Sequence, residues 1–121
     1  MGGQNTAACA NAATPAPIPT TNICPAGWRL PTVSPTDEFT ALNTAINAGS
    51  TTSDAGLLTN GLFQRSGLWL GGFYAQGSSG YYWSSTQYSA TSAYYLYFDS
   101  TRVNPAGSGK NLPRVVRCVA E

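Results

Sequence analysis

Gly80-Tyr81-Tyr82-Trp83-Ser84-Ser85-Thr86 and Ala93-Tyr94-Tyr95-Leu96-Tyr97-Phe98-Asp99 form the most aromatic part of this chain, and all seven tyrosines fall between Tyr74 and Tyr97. From Ala93 to Asp99 the side chains alternate with the period of two that a strand imposes. Tyr94, Leu96 and Phe98 point to one side, and Ala93, Tyr95, Tyr97 and Asp99 to the other. The first set reads as core. The second set puts amphipathic rings on a face open to solvent, where tyrosine offers a large contact area at small entropic cost. Tyrosine is also a good strand former in its own right, so the rings argue for a sheet and the alternation argues for a surface.

Working outward from this ribbon, Leu68-Trp69-Leu70 is a short apolar run closed by Gly71-Gly72. Asp99-Ser100-Thr101-Arg102 reads as a turn, Val103 as the start of a short return strand, and Asn104 to Pro113 as a loop broken by Gly and Pro. Val115-Val116-Arg117-Cys118-Val119 is expected to close the sheet. Upstream, Ser34-Pro35-Thr36-Asp37 reads as a helix start, with Ser34 as cap, Pro35 at the first position, and Asp37 and Glu38 at the positive end. Phe39, Leu42 and Ile46 recur at helical spacing, and Gly49 stops the element. A shorter helix is expected after Ser53-Asp54, using Leu57 and Leu58 and ending before Gly61. Ile23 to Thr32 reads as a turn and a short strand. The fold class is α+β: two helices first, then a mainly antiparallel sheet with long irregular loops. Residues 1–22, with Pro15, Pro17 and Pro19, read as a linker or arm, and residues 23–121 as one domain.

Only 9% of the 121 residues are charged and the formal net charge is +1. Nothing in that balance supports binding to nucleic acid or to an anionic membrane by phosphate neutralisation. No apolar run has the length of a membrane span. The Gly, Ser, Thr, Asn and Tyr content suits an extracellular or cell-surface protein, and Met1-Gly2-Gly3 reads as an added start, so an anchor or export signal upstream is expected to have been removed. Three cysteines, Cys9, Cys24 and Cys118, allow one disulfide. The expected pair is Cys24 with Cys118, which would tie the beginning of the fold to its last strand; the competing pair, Cys9 with Cys24, would only staple the N-terminal segment. Spacing does not decide between them.

The chain has no histidine, and its cysteines lack the spacing of a metal clip, so neither a zinc site nor any cofactor is implied. Catalysis needs a base, an activated nucleophile or a metal. Ser84 and Ser85 are the only candidate nucleophiles and have no evident activating partner, while Asp37, Glu38 and Asp54 occupy capping positions rather than forming an acid/base pair. The expectation is that the domain is not an enzyme.

Cys24-Pro25-Ala26-Gly27-Trp28-Arg29-Leu30-Pro31-Thr32, the helix with Glu38-Phe39 and Leu42, Tyr82-Trp83-Ser84-Ser85, Ala93 to Phe98 and Val116-Arg117-Cys118-Val119 together resemble the Fibrobacter succinogenes major paralogous domain family. That family is similar to the C-type lectin fold, and the same pattern resembles the ligand-binding domains of variable proteins of diversity-generating retroelements. The resemblance implies a domain whose termini share a sheet, with a diversified stretch from about Tyr81 to Asn111. It implies that Trp83, Ala93, Leu96, Phe98, Val116 and Cys118 are scaffold. Gln87, Tyr88, Ser89, Thr91, Tyr95, Tyr97, Asp99, Thr101, Arg102 and Asn104 would be displayed to a protein or carbohydrate ligand at a cell surface. Calcium-dependent relatives carry acidic loops absent here, where only Asp99 lies between Gly61 and Ala120, so a calcium cage is not supplied. Arg29 reads as a structural arginine bonded to backbone. A second reading makes the domain the structural or adhesive head of a surface-anchored or pilin-like protein, its aromatics packing between subunits.

Overall fold

The computed structural model describes residues 23–34, 36–60 and 63–121. The expected arm at 1–22, Cys9, Pro35 and Gly61 lie outside the described residues. The elements run β1 (Trp28–Arg29), α1 (Glu38–Asn47), α2 (Ala55–Thr59), β2 (Leu68–Trp69), β3 (Phe73–Tyr74), β4 (Ser79–Gln87), β5 (Ser92–Asp99), β6 (Arg102–Gly109) and β7 (Val119–Ala120). The fold is α+β, with three small antiparallel sheets: β1 with β7, β2 with β3, and the central sheet in the order β4-β5-β6.

The central sheet separates two clusters. Cross-strand register sets Tyr82 beside Leu96 and Gly80 beside Phe98, which in turn pairs with Val103. These residues point toward the helices and form the main core with Phe39, Leu57 and Phe63. Each fully buried apolar side chain contributes about 1.5–3 kcal/mol. Gly80 has no alternative here: a Cβ would lie 2.1 Å from Cζ of the Phe98 ring. On the other face Trp83 and Ala93 are buried with Leu30 and Cys24, and Tyr95, Val116 and Cys118 pack against them. Ala93, expected to face outward, is therefore enclosed. Tyr94, expected in the core, is half-buried, with its ring edge-on to Tyr88 at 5.0 Å.

The disulfide joins Cys24 to Cys118, with Cα atoms 5.9 Å apart. Together with the β1–β7 pair it holds the two ends of the domain side by side. Val119 therefore does not close the central sheet; it pairs with Arg29. The residue of that segment that reaches the central sheet is Val115, through a parallel bridge to Tyr82.

Three further expectations shift. The α1 cap is Asp37, whose carboxylate accepts the Thr40 N–H at 2.9 Å, three residues later than Ser34. Asp54 precedes α2 but makes no side-chain cap bond. Its buried carboxylate instead takes a two-pronged pair from Arg65, both bonds 2.8 Å. The buried stripe of α1 is Phe39-Asn43-Asn47, with Leu42 and Ile46 only partly covered. The two amides are satisfied: Asn43 donates to the Ser50 carbonyl, and Asn47 donates to Asn43 and to the Ser53 carbonyl while accepting the Gly56 N–H. They carry the backbone bonds of the turn between the helices.

Residues 104–109 form a strand rather than a loop. Pro105 and Gly107 are tolerated because β6 is an edge, where a missing N–H costs no ladder bond on the outer side. Val103 donates outward to the Thr51 carbonyl at 3.0 Å, which covers part of that edge.

Candidate functional site

Register assembles one surface from the second face of the central sheet. Tyr81, Tyr97 and Asn104 lie in one cross-strand row, Trp83, Tyr95 and Ala106 in the next, and Ser79, Asp99 and Arg102 in a third. The Tyr81 ring lies 5.3 Å from Tyr97 and 6.0 Å from Tyr95, so the three rings form a continuous patch. Tyr95 and Tyr97 are half-buried: neither is sealed inside nor standing free.

Two guanidinium groups frame the rings. Arg102 lies 4.9 Å above Tyr97, and Arg114 lies 4.8 Å from the Tyr95 centroid and 5.2 Å from that of Tyr81. Arg114 donates to the Pro113 carbonyl and to Ser108 Oγ, both at 3.0 Å. Its ion-pair partner is the π-surface, since none of the three salt bridges among the described residues includes it. Burial pulls its pKa below the ordinary arginine value.

The Asp99 corner is a closed polar network. The Tyr97 hydroxyl donates to Asp99 Oδ2, and Ser79 Oγ lies 3.3 Å from that hydroxyl. Thr101 gives its N–H and its hydroxyl to Oδ1, both at 2.8 Å. Arg102 Nη2 donates to Asp99 Oδ2 at 3.1 Å and to the Tyr97 oxygen at 3.2 Å. The Tyr97 hydroxyl, followed by the Thr101 amide, holds the Asp99 carboxyl well below the usual carboxylate range. Burial, and then Asp99, pushes the Tyr97 phenol up. Asp99 is thus a fixed anion that orients its neighbours, with its lone pairs largely occupied.

The ten positions expected to be displayed do not form a single cluster. Asp99, Thr101, Arg102 and Asn104 gather with Tyr97 at the β5–β6 turn, and Tyr95 follows along β5. Gln87, Tyr88, Ser89 and Thr91 sit at the β4–β5 turn, at the opposite end of a strand of eight residues, roughly 20–25 Å away at strand rise. Lys110 builds that second end. It is fully buried, its Nζ donates to the Ala90 carbonyl at 3.1 Å, and its N–H donates to the Thr91 carbonyl at 2.9 Å.

Ser84, Ser85 and Thr86 do structural work. The register between β4 and β5 slips between Trp83 and Gln87, a bulge that turns this run outward. Ser84 Oγ donates to the Tyr94 carbonyl at 2.9 Å, Ser85 N–H donates to the Pro31 carbonyl, and Thr86 Oγ1 accepts the Val33 N–H at 2.7 Å. Arg29 has a bond to the Leu30 carbonyl, but its main partner is the Glu38 carboxylate, which takes both of its Nη groups. That pair, with the Thr32 N–H, lowers the Glu38 pKa to about 2. Among the described residues no group of three or more His, Cys, Asp or Glu side chains is placed to hold a metal ion, and no helix is long and apolar enough to cross a membrane.

Sequence reasoning missed Tyr81, Ser79, Arg114 and Lys110. Tyr81 and Ser79 share parity in β4, but the bulge between Trp83 and Gln87 shifts the register set at the turn, so their places opposite Tyr97 and Asp99 could not be read from turn length. Arg114 and Lys110 lie in an irregular segment with no periodicity to read.

These features define an α+β domain with covalently joined ends and a half-exposed aromatic sheet face. The chain belongs to the family described as Domain of unknown function (DUF8237), which matches residues 36–119. Comparison with curated proteins and with solved structures gives no significant match.

Proposed function

We propose that this is a non-catalytic recognition domain of C-type lectin-like fold, displaying a variable surface to a protein or carbohydrate ligand at a cell surface. The observation that carries this reading is the Asp99 corner. There a hydrogen-bond network fixes Tyr97, Thr101 and Arg102 beside a half-buried row of tyrosine rings. Rigid aromatic anchors next to short polar side chains are the composition of adaptable binding surfaces. The joined ends, the two helices preceding the sheet and the long segment after β6 support the lectin-like assignment. On this reading residues 81–111 are the diversified stretch, and the protein is held at the cell surface by a segment upstream. The alternative, a head domain packing its aromatics between subunits, fits the ten displayed positions less well, since seven of them are neither aromatic nor aliphatic.

The test is a glycan array run alongside a cell-surface protein library, probed with the parent and two variants. Gln87→Ala/Ser89→Ala/Thr91→Ala alters one end of the sheet, and Thr101→Ala/Arg102→Ala/Asn104→Ala the other. The reading expects at least one ligand whose binding the second variant loses while the fold is kept. A ligand bound equally by the parent and both variants would place recognition elsewhere.

A further inference from the structure

The β2–β3 hairpin takes no part in the surface described above, and among the described residues it carries four of the six large exposed hydrophobic side chains. Trp69 is 53% exposed, Leu70 55%, Phe73 74% and Tyr74 58%. The hairpin is built rather than frayed. Its base is closed by Gly67 N–H to the Ser79 carbonyl at 2.9 Å and Gly77 N–H to the Arg65 carbonyl at 2.7 Å. Gly67 has φ +65°, and a Cβ there would lie 2.2 Å from the Tyr74 oxygen, so strand and return are pressed together at that point. Trp69 and Phe73 pair across one face, ring edge to ring face at 5.2 Å. Tyr74 lies on the opposite face, paired with the buried Leu68, and Leu70 stands at the tip.

From these observations we propose that the hairpin inserts into the interfacial layer of an electrically neutral lipid bilayer. Charge supports this occupant: no Asp, Glu, Lys or Arg occurs from Ser66 to Ser78, and the adjacent Arg65 is committed to Asp54. Such a tip has no cation to seek lipid phosphate and no anion to be repelled by it. Area separates the bilayer from a second copy of the chain. At 150–250 Å² per aromatic side chain, the four groups leave on the order of 500 Å² in water. Two copies covering all of it would bury about 1,000 Å², the floor for a specific protein contact. A flat two-fold contact through Trp69 and Phe73 leaves Tyr74 outside, so it falls short of that floor. A lipid phase surrounds both faces and accepts Trp and Tyr rings at the level of the headgroups.

The test is flotation of the whole chain with phosphatidylcholine vesicles, with and without added phosphatidylglycerol. It is combined with fluorescence quenching by brominated phosphatidylcholine in a Trp28→Phe background, which leaves Trp69 as the exposed indole. Expected are co-flotation with pure phosphatidylcholine, insensitivity to salt, and quenching of Trp69. Trp69→Ser/Phe73→Ser should weaken partitioning at least about tenfold, since binding follows buried apolar area, with the melting temperature unchanged. Any of three results overturns the proposal: protein that stays in the aqueous layer with Trp69 unquenched, binding that needs phosphatidylglycerol and is removed by salt, or a concentration-dependent dimer in sedimentation that the double substitution abolishes.

Discussion

The two faces of the β4-β5-β6 sheet are made of the same residue type and come to different ends. Tyr82 on one side is core, stacked at 5.7 Å on Phe98 with its hydroxyl bonded to the Gln64 backbone. Tyr81, Tyr95 and Tyr97 on the other side are half-buried beneath arginines. Parity along the strand separates Tyr82 from Tyr81, Tyr95 and Tyr97, while position along it matters too, since Tyr94 shares the core parity but is half-buried near the strand end. The second face is also not simply a surface: its Trp83–Ala93 end is a small core of its own, and openness increases toward the Asp99 end.

The contrast can be pressed by substitution. Phe98→Ala should cost about 3–5 kcal/mol in chemical denaturation, because the ring is fully buried in the helix-side core. A much smaller loss would erase the difference between the faces. Cys24→Ser/Cys118→Ser should cost about 2–5 kcal/mol by releasing the cover of the second face, and amide exchange in β1 and β7 should rise well before that in β5. Glu38 gives a milder, pH-dependent effect. Its pKa, lowered to about 2 by Arg29, means its contribution is present above about pH 4.5 and lost as pH falls toward 2. Because the pair is partly solvated, with Glu38 27% and Arg29 37% exposed, the contribution is about 1 kcal/mol. Glu38→Gln should flatten the acid limb of a melting-temperature profile. Tyr97→Phe, which keeps the ring and removes the bond to Asp99, should cost about 0.5–1 kcal/mol. Asn104→Ala, whose side chain bonds only the Pro105 carbonyl, should change stability by no more than about 0.5 kcal/mol. A large loss there would mean that the Asp99 end is structural.

The class, both helices and the Leu96–Phe98 core were legible because each follows from periodicity or from a turn signal, whereas the order of the strands was not, and Val119 pairs with Arg29 instead of closing the central sheet. Three further features were not legible. Asn43 and Asn47 are polar residues on the inward stripe of α1, and only the neighbouring turn's need for bonding partners explains them. Residues 104–109 look like a loop because Pro and Gly argue against strands, and the exemption for edge strands becomes visible only once sheet order is known. The Phe73–Tyr74 strand went unread, since two residues show no alternation. For the site, the alternation set Tyr95, Tyr97 and Asp99 on one face, and Arg102 was named only through the resemblance. The division of the displayed set between two ends needed the register.

The joined ends have a mechanical consequence. A pull entering the chain before Cys24 and leaving after Cys118 passes through a single covalent link whose Cα atoms are 5.9 Å apart. The chain between them, a sequence separation of 94, is bypassed, so tension on a tether would leave both helices and the tyrosine face slack, and a bound partner would feel the load only through its own contacts.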